Sequence, residues 1–110
     1  MPQNQSEINI LKRDLYVYSG TDSAFNCQAL DNNGLPIDIS EIDITCSISE
    51  YENGTTTYAA SVNKTLPLQG VYQIIIDDTV KLTRPRYVYQ VTGSQGSVKV
   101  RFQFGQILVE

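Results

Sequence analysis

The sequence predicts an all-β protein, an antiparallel β-sandwich of about seven strands, and three observations carry that prediction. Apolar residues recur at every second position in short runs over nearly the whole chain. Clusters rich in Gly, Asn and Asp fall between those runs. Only one short stretch, 77–82, reads as helical, and it is long enough for at most a single turn.

The clearest run closes the chain. Tyr87, Tyr89 and Val91 share one face, and Val98, Val100, Phe102 and Phe104 share one face of a returning strand whose other side is Ser97, Lys99, Arg101 and Gln103. Alternation of this kind marks strands with one buried and one wet face. Gly93 to Gly96 is the expected turn. Continued past Phe104, the same alternation would bury Gln106 and expose Ile107 and Val109. A bulge at Gly105 is therefore expected to reset the phase and return both apolar residues to the core.

The other elements follow in chain order. Residues 1–12 read as a polar arm, in which Ile8 and Ile10 are candidates for a short extra strand, and residues 13–110 as the sandwich domain. Strands are expected at 14–19 (Leu15, Val17), 23–30 (Phe25, Cys27, Ala29), 42–49 (Ile42, Ile44, Cys46, Ile48), 55–63, 70–76 (Tyr72, Ile74, Ile76), 86–92 and 97–109. Turn chemistry separates them at Ser19-Gly20, Asp31 to Gly34, Asn53-Gly54 and Gln69-Gly70. Pro36 restricts Leu35 to extended backbone and so feeds Ile37 and Ile39 onto one face. Asp77 to Thr79 would cap the helical turn, which Pro85 ends. Seven short strands at this spacing imply a sandwich of immunoglobulin type.

At 110 residues the chain is one domain and large enough to fold without a staple. A net charge of −4 argues against nucleic-acid or anionic-membrane partners. That charge is uneven. Residues 1–55 hold two bases against nine acids, −7, while residues 56–110 hold six bases against three acids, +3. This is either a dipolar module that docks head to tail or two halves whose strands interleave in space. No apolar stretch follows the polar N-terminus, so neither a signal peptide nor a membrane span is expected, and synthesis in the cytoplasm is. Cys27 and Cys46 lie on the apolar faces of their strands. Packed free thiols are expected there, with an inter-sheet disulfide as the alternative. Asn4, Asn53 and Asn63 open glycosylation sequons of the kind an Asn- and Thr-rich chain produces by chance.

Histidine is absent, which removes the usual general base, the commonest zinc ligand and any Ser-His or Cys-His pair. Enzymatic activity and a resident cofactor or metal are therefore not expected. Asp31, Asn32, Asn33 and Asp38 could supply some oxygens to calcium, but read more simply as a polar turn. The seven tyrosines are a different signal. Tyr16 and Tyr18 alternate with Leu15 and Val17, so one of the two pairs faces solvent, where tyrosine favours interfaces with protein or carbohydrate. Ile8, Ile10, Tyr16 and Tyr18 are the candidate interface residues.

The order Asp31-x-x-Gly34-x-Pro36-x-Asp38-Ile39, followed by a strand, Asp77-Asp78-Thr79-x-x-Leu82, Arg86-Tyr87-Val88-Tyr89 and a closing strand pair, resembles an immunoglobulin-like module encoded by tailed bacteriophages. The resemblance runs from about Leu15 to the C-terminus. It departs from that family at Arg84-Pro85, where such modules often carry Pro-Gly. It implies a non-enzymatic virion component of the tail, neck, baseplate or capsid, joining other virion structural proteins in a symmetric multi-copy assembly. A carbohydrate-binding or host-adhesion module is the alternative.

Overall fold

Alternation in the sequence becomes eight strands in the computed structural model, which describes residues 8–18, 20–51, 54, 56–77 and 82–110. They are β1 (Leu11–Lys12), β2 (Leu15–Val17), β3 (Ser23–Gln28), β4 (Asp43–Ser49), β5 (Thr56–Leu66), β6 (Val71–Ile76), β7 (Arg86–Gln95) and β8 (Val98–Val109). The protein is all-β. Among the described residues the only helical element is a 3-10 turn at Pro67–Gln69. The helical turn expected at 77–82 and the arm before Ile8 lie largely outside the described residues.

Neighbouring strands follow the order β1-β8-β7-β4-β5-β6-β3, with β2 also beside β8. Pairing is antiparallel from β3 to β8, but β1 and β2 run parallel to β8, so the sheet is mixed rather than wholly antiparallel. β5 belongs to both halves. Its first part pairs with β4 (Ala60 opposite Cys46) and its second with β6 (Val62 opposite Ile74). The sheet curls at this strand. Tyr72 of β6 thereby donates its hydroxyl to Oε1 of Gln103 on β8 at 3.4 Å, although β5, β4 and β7 separate the two along the ladder. Between these facing ends lies the core, which includes Leu15, Val17, Cys46, Ile48, Tyr72, Ile74, Tyr87, Val91 and Ile107. Each fully buried aliphatic side chain among them contributes about 1.5–3 kcal/mol relative to exposure.

The phase of β8 resets where the sequence did not indicate. Val91 pairs with Gln103 and Thr92 with Arg101, leaving Phe102 as the extra residue of a bulge. Phe102 and Gln103 are consequently both buried, and Phe104 turns outward. The cause is across the strand: a Cβ on Gly93 would collide with the Phe102 ring and sit 2.8 Å from Cγ2 of Ile42. The ring occupies the space that a glycine leaves. Gly105 is thus not the bulge, although Ile107 does return to the core. The hairpin turn is also shorter than expected, since β7 continues through Gly93 to Gln95 and only Gly96-Ser97 reverse the chain. Gly96 supplies the required positive φ of 61°.

The extra N-terminal strand is Leu11–Lys12, not Ile8 to Ile10. Ile8 makes only an isolated antiparallel bridge to Asp31, with Asn9 N–H donating to the Leu30 carbonyl at 3.0 Å. β1 and β2 share one register along β8, Leu11 opposite Gln103 and Leu15 opposite Ile107. They are one strand interrupted at Arg13-Asp14.

Candidate interaction surface

The interruption at Arg13 has a chemical cause. Its carbonyl turns inward and accepts a 2.6 Å hydrogen bond from the Tyr89 hydroxyl, while its N–H still donates to the Phe104 carbonyl at 2.9 Å. Gly105 permits the approach, because a Cβ there would collide with the Arg13 carbonyl. Gln103 donates from Nε2 to the same tyrosine oxygen at 2.9 Å and accepts from Tyr72, so its buried amide joins the two ends of the curled sheet. A buried polar network persists only when its members are satisfied. Among the described residues, no buried side-chain N or O atom lacks a partner.

This inner network fixes the line of the N-terminal edge strand, and that line decides which side chains face out. Leu15 and Val17 point into the core, leaving Tyr16 and Tyr18 exposed at 59% and 62%. Ile10 and Leu11 are exposed on the same edge. Of the four residues singled out in the sequence, the structure therefore gathers Ile10, Tyr16 and Tyr18 along one edge segment, Ile10 just before β1, Tyr16 in β2 and Tyr18 just after it. Ile8 is half-buried and packs against the core, holding the chain to the loop at Leu30-Asp31.

Beside this edge the outward face of β8, β7 and β4 is laid out in rows by the register. Lys12, Phe104, Gln90 and Ser47 form one row across four strands. Gln106, Val88 and Ser49 form the next, with Asp14 Oδ1 accepting from the Gln106 backbone N–H at 3.1 Å. Tyr16, Leu108 and Arg86 form the third. A depression of about 260 Å³ opens over the first two rows, and Arg101 reaches it from before the bulge, its guanidinium 5.3 Å from the centroid of the Phe104 ring. The two halves of the chain interleave as strands, since β1, β2, β4 and β3 of the first half alternate with the pairs β8-β7 and β5-β6 of the second, and Arg84 of the second half pairs with Glu50 of the first at 3.1 Å. Within that arrangement Arg86, Lys99 and Arg101 stand exposed on the adjacent strands β7 and β8.

Sequence reasoning missed this depression. Its members are spaced by the bulge at Phe102 and by pairing between distant strands, neither of which alternation along one strand reveals.

The remaining reactive groups are held inside. Cys27 and Cys46 are both buried and unpaired with each other. Burial pushes the Cys27 thiol up, opposed by the Arg13 guanidinium beside it, whose Nη1 lies 3.9 Å from Sγ. Burial, with Cys27 as neighbour, pushes Cys46 up to about 12. Such thiols carry little thiolate near neutrality. The candidate calcium oxygens serve their own loop: Asp31 Oδ1 accepts from the N–H groups of Asn33 (2.8 Å) and Leu35 (3.0 Å). Asp38 Oδ1 takes the Ser40 hydroxyl and N–H, which hold its carboxyl below the usual range. Among the described residues no group of three or more Cys, Asp or Glu gathers in a metal-ligating arrangement. Among the described residues no helix is long and apolar enough to cross a membrane. Compared with protein-family models and with curated proteins, the chain finds no match in either.

Proposed function

We propose that this protein is a non-enzymatic assembly module of a tailed-phage particle, an immunoglobulin-like sandwich that joins neighbouring virion proteins in a symmetric, multi-copy array. The observation that carries the reading is the β1–β2 edge, which exposes Ile10, Leu11, Tyr16 and Tyr18 beside a strand side that, among the described residues, no other strand pairs with. A partner segment added there gains main-chain hydrogen bonds for affinity, and the alternate side chains supply specificity. Tyrosine suits this role because it offers a large, stiff contact area with a polar tip. The phage context rests on the Asp31 to Ile39 and Arg86 to Tyr89 patterns. The lack of histidine and the buried, raised thiols support a non-enzymatic role.

The test is the double variant Tyr16→Ser/Tyr18→Ser. Both side chains are exposed, so its stability should stay within about 0.5 kcal/mol of the parent for each change. It should nevertheless fail to enter particles assembled with a tagged copy. Incorporation at the parent's copy number would refute the edge as the docking strand. Host adhesion through glycan binding is the second reading, favoured by the polar depression on the neighbouring face.

A further inference from the structure

We infer that the depression over β8, β7 and β4 is a binding site for a carboxylate-bearing sugar unit, an inference that rests on the adhesion reading and names its ligand class. Two exposed cations border it. Neither Lys12 nor Arg101 forms a salt bridge among the described residues, and the carboxylate beside the face, Asp14, is engaged by the Gln106 N–H. Arg101 lies over the Phe104 ring, a contact that holds the guanidinium in place and leaves its N–H fork free. A planar fork of this kind matches a carboxylate through two parallel hydrogen bonds.

The neutral groups narrow the ligand further. The side chains of Ser47, Gln90 and Gln106 form no hydrogen bond among the described residues, and all three face the depression. Amides and hydroxyls both donate and accept. Sugar hydroxyls do the same, whereas sulfate, an acceptor only, would leave the amide carbonyls of Gln90 and Gln106 unmatched, and phosphate, with one or two O–H donors against several acceptor oxygens, would match them less fully. The volume is small: about 260 Å³ falls just under the roughly 300–1,000 Å³ of drug-sized pockets, which suits one sugar unit rather than a long segment. Two cations in a chain of net charge −4 are too few for a nucleic-acid track.

The experiment is a backbone-amide NMR titration of the full chain with four probes: sialyllactose, a short oligogalacturonate, lactose, and inorganic phosphate. An acidic sugar should shift resonances at Lys12, Ser47, Gln90, Arg101, Phe104 and Gln106 and bind more tightly than lactose. Arg101→Gln, a change at an exposed position, should weaken that binding about 10- to 100-fold by loss of a charge-assisted pair, and Gln90→Leu should weaken it independently. The edge variant Tyr16→Ser/Tyr18→Ser should bind as the parent does, which keeps this result separate from particle assembly. Shifts by no sugar would overturn both the inference and the adhesion reading. Equal binding of lactose would overturn the carboxylate assignment alone, and equal binding of phosphate would overturn the role given to the amides. Protection of this face by a neighbouring particle protein, with no sugar bound, would reassign it to assembly.

Discussion

Replacing Gly105 with alanine sets two accounts of that glycine against each other, and they differ in sign. If the residue merely loosens a strand, alanine should stabilise the protein by about 0.5–1 kcal/mol through reduced backbone freedom. The structure predicts the opposite. The added Cβ would collide with the Arg13 carbonyl oxygen, lie 2.7 Å from its carbonyl carbon and 3.2 Å from Cε1 of Tyr89. Carbon atoms settle at about 3.5–4.0 Å, so the Arg13 backbone must retreat by about 1 Å. That takes the Tyr89 hydroxyl bond from 2.6 Å to a separation of about 3.6 Å, which no longer counts as one. Overpacking costs about 1–3 kcal/mol. The lost bond adds about 1 kcal/mol, the low end of its range, because Gln103 still donates to the same oxygen. The sum is about 2–4 kcal/mol, a fall of roughly 8–16 °C in Tm for a domain of this size. Thermal and urea denaturation followed by circular dichroism measure both quantities, and hydrogen exchange should quicken along β1 and the facing part of β8. A Tm equal to or above the parent's would refute the reasoning.

Gln103→Leu should destabilise by about 2–3 kcal/mol, because the buried Tyr72 hydroxyl loses its acceptor. Adding Tyr72→Phe should restore part of that loss, and additive penalties in a urea double-mutant cycle would contradict a shared network. Burial raises Cys46 and Tyr89 to about 12 and moves Cys27 and Tyr72 upward as well. The folded protein thus keeps protons that the unfolded chain releases from about pH 8.5 upward. Their contribution is complete below that pH and is lost as pH rises toward 12. Urea midpoints should therefore hold steady near neutrality and decline above about pH 9, whereas a midpoint unchanged at pH 10.5 would contradict this. In the native state a thiol reagent should reach Cys27, the less buried and Arg13-assisted one, before Cys46.

Most strands were legible because each buries one face, and a period of two is written directly into residues such as Leu15-Tyr16-Val17 and Tyr72 to Ile76. The features that escaped are those decided between strands. Gln103 reads as a solvent residue until Phe102 drops into the space above Gly93 and shifts the phase by one. Gly105 reads as a bulge because its partner, the Arg13 carbonyl, is distant in sequence. The 3-10 turn did leave a local trace, Pro67 at its first position and Gly70 closing it with a φ of 73°, but three residues between two strands are easily absorbed into a turn. Of the candidate surface, Tyr16 and Tyr18 were visible from alternation on their own strand. The row formed by Lys12, Phe104, Gln90 and Ser47 required the order in which four strands assemble.

Because the first and last strands lie alongside each other and point the same way, tension applied to the two chain ends would act along the strand direction. The hydrogen bonds joining β8 to β1 and β2 would then be loaded together in shear rather than peeled open one after another. Neighbouring hairpins, anchored at one turn, would unzip sequentially under the same pull. The parallel seam would therefore resist such a pull along its length, with the Tyr89 hydroxyl adding a tie from β7 to the Arg13 carbonyl.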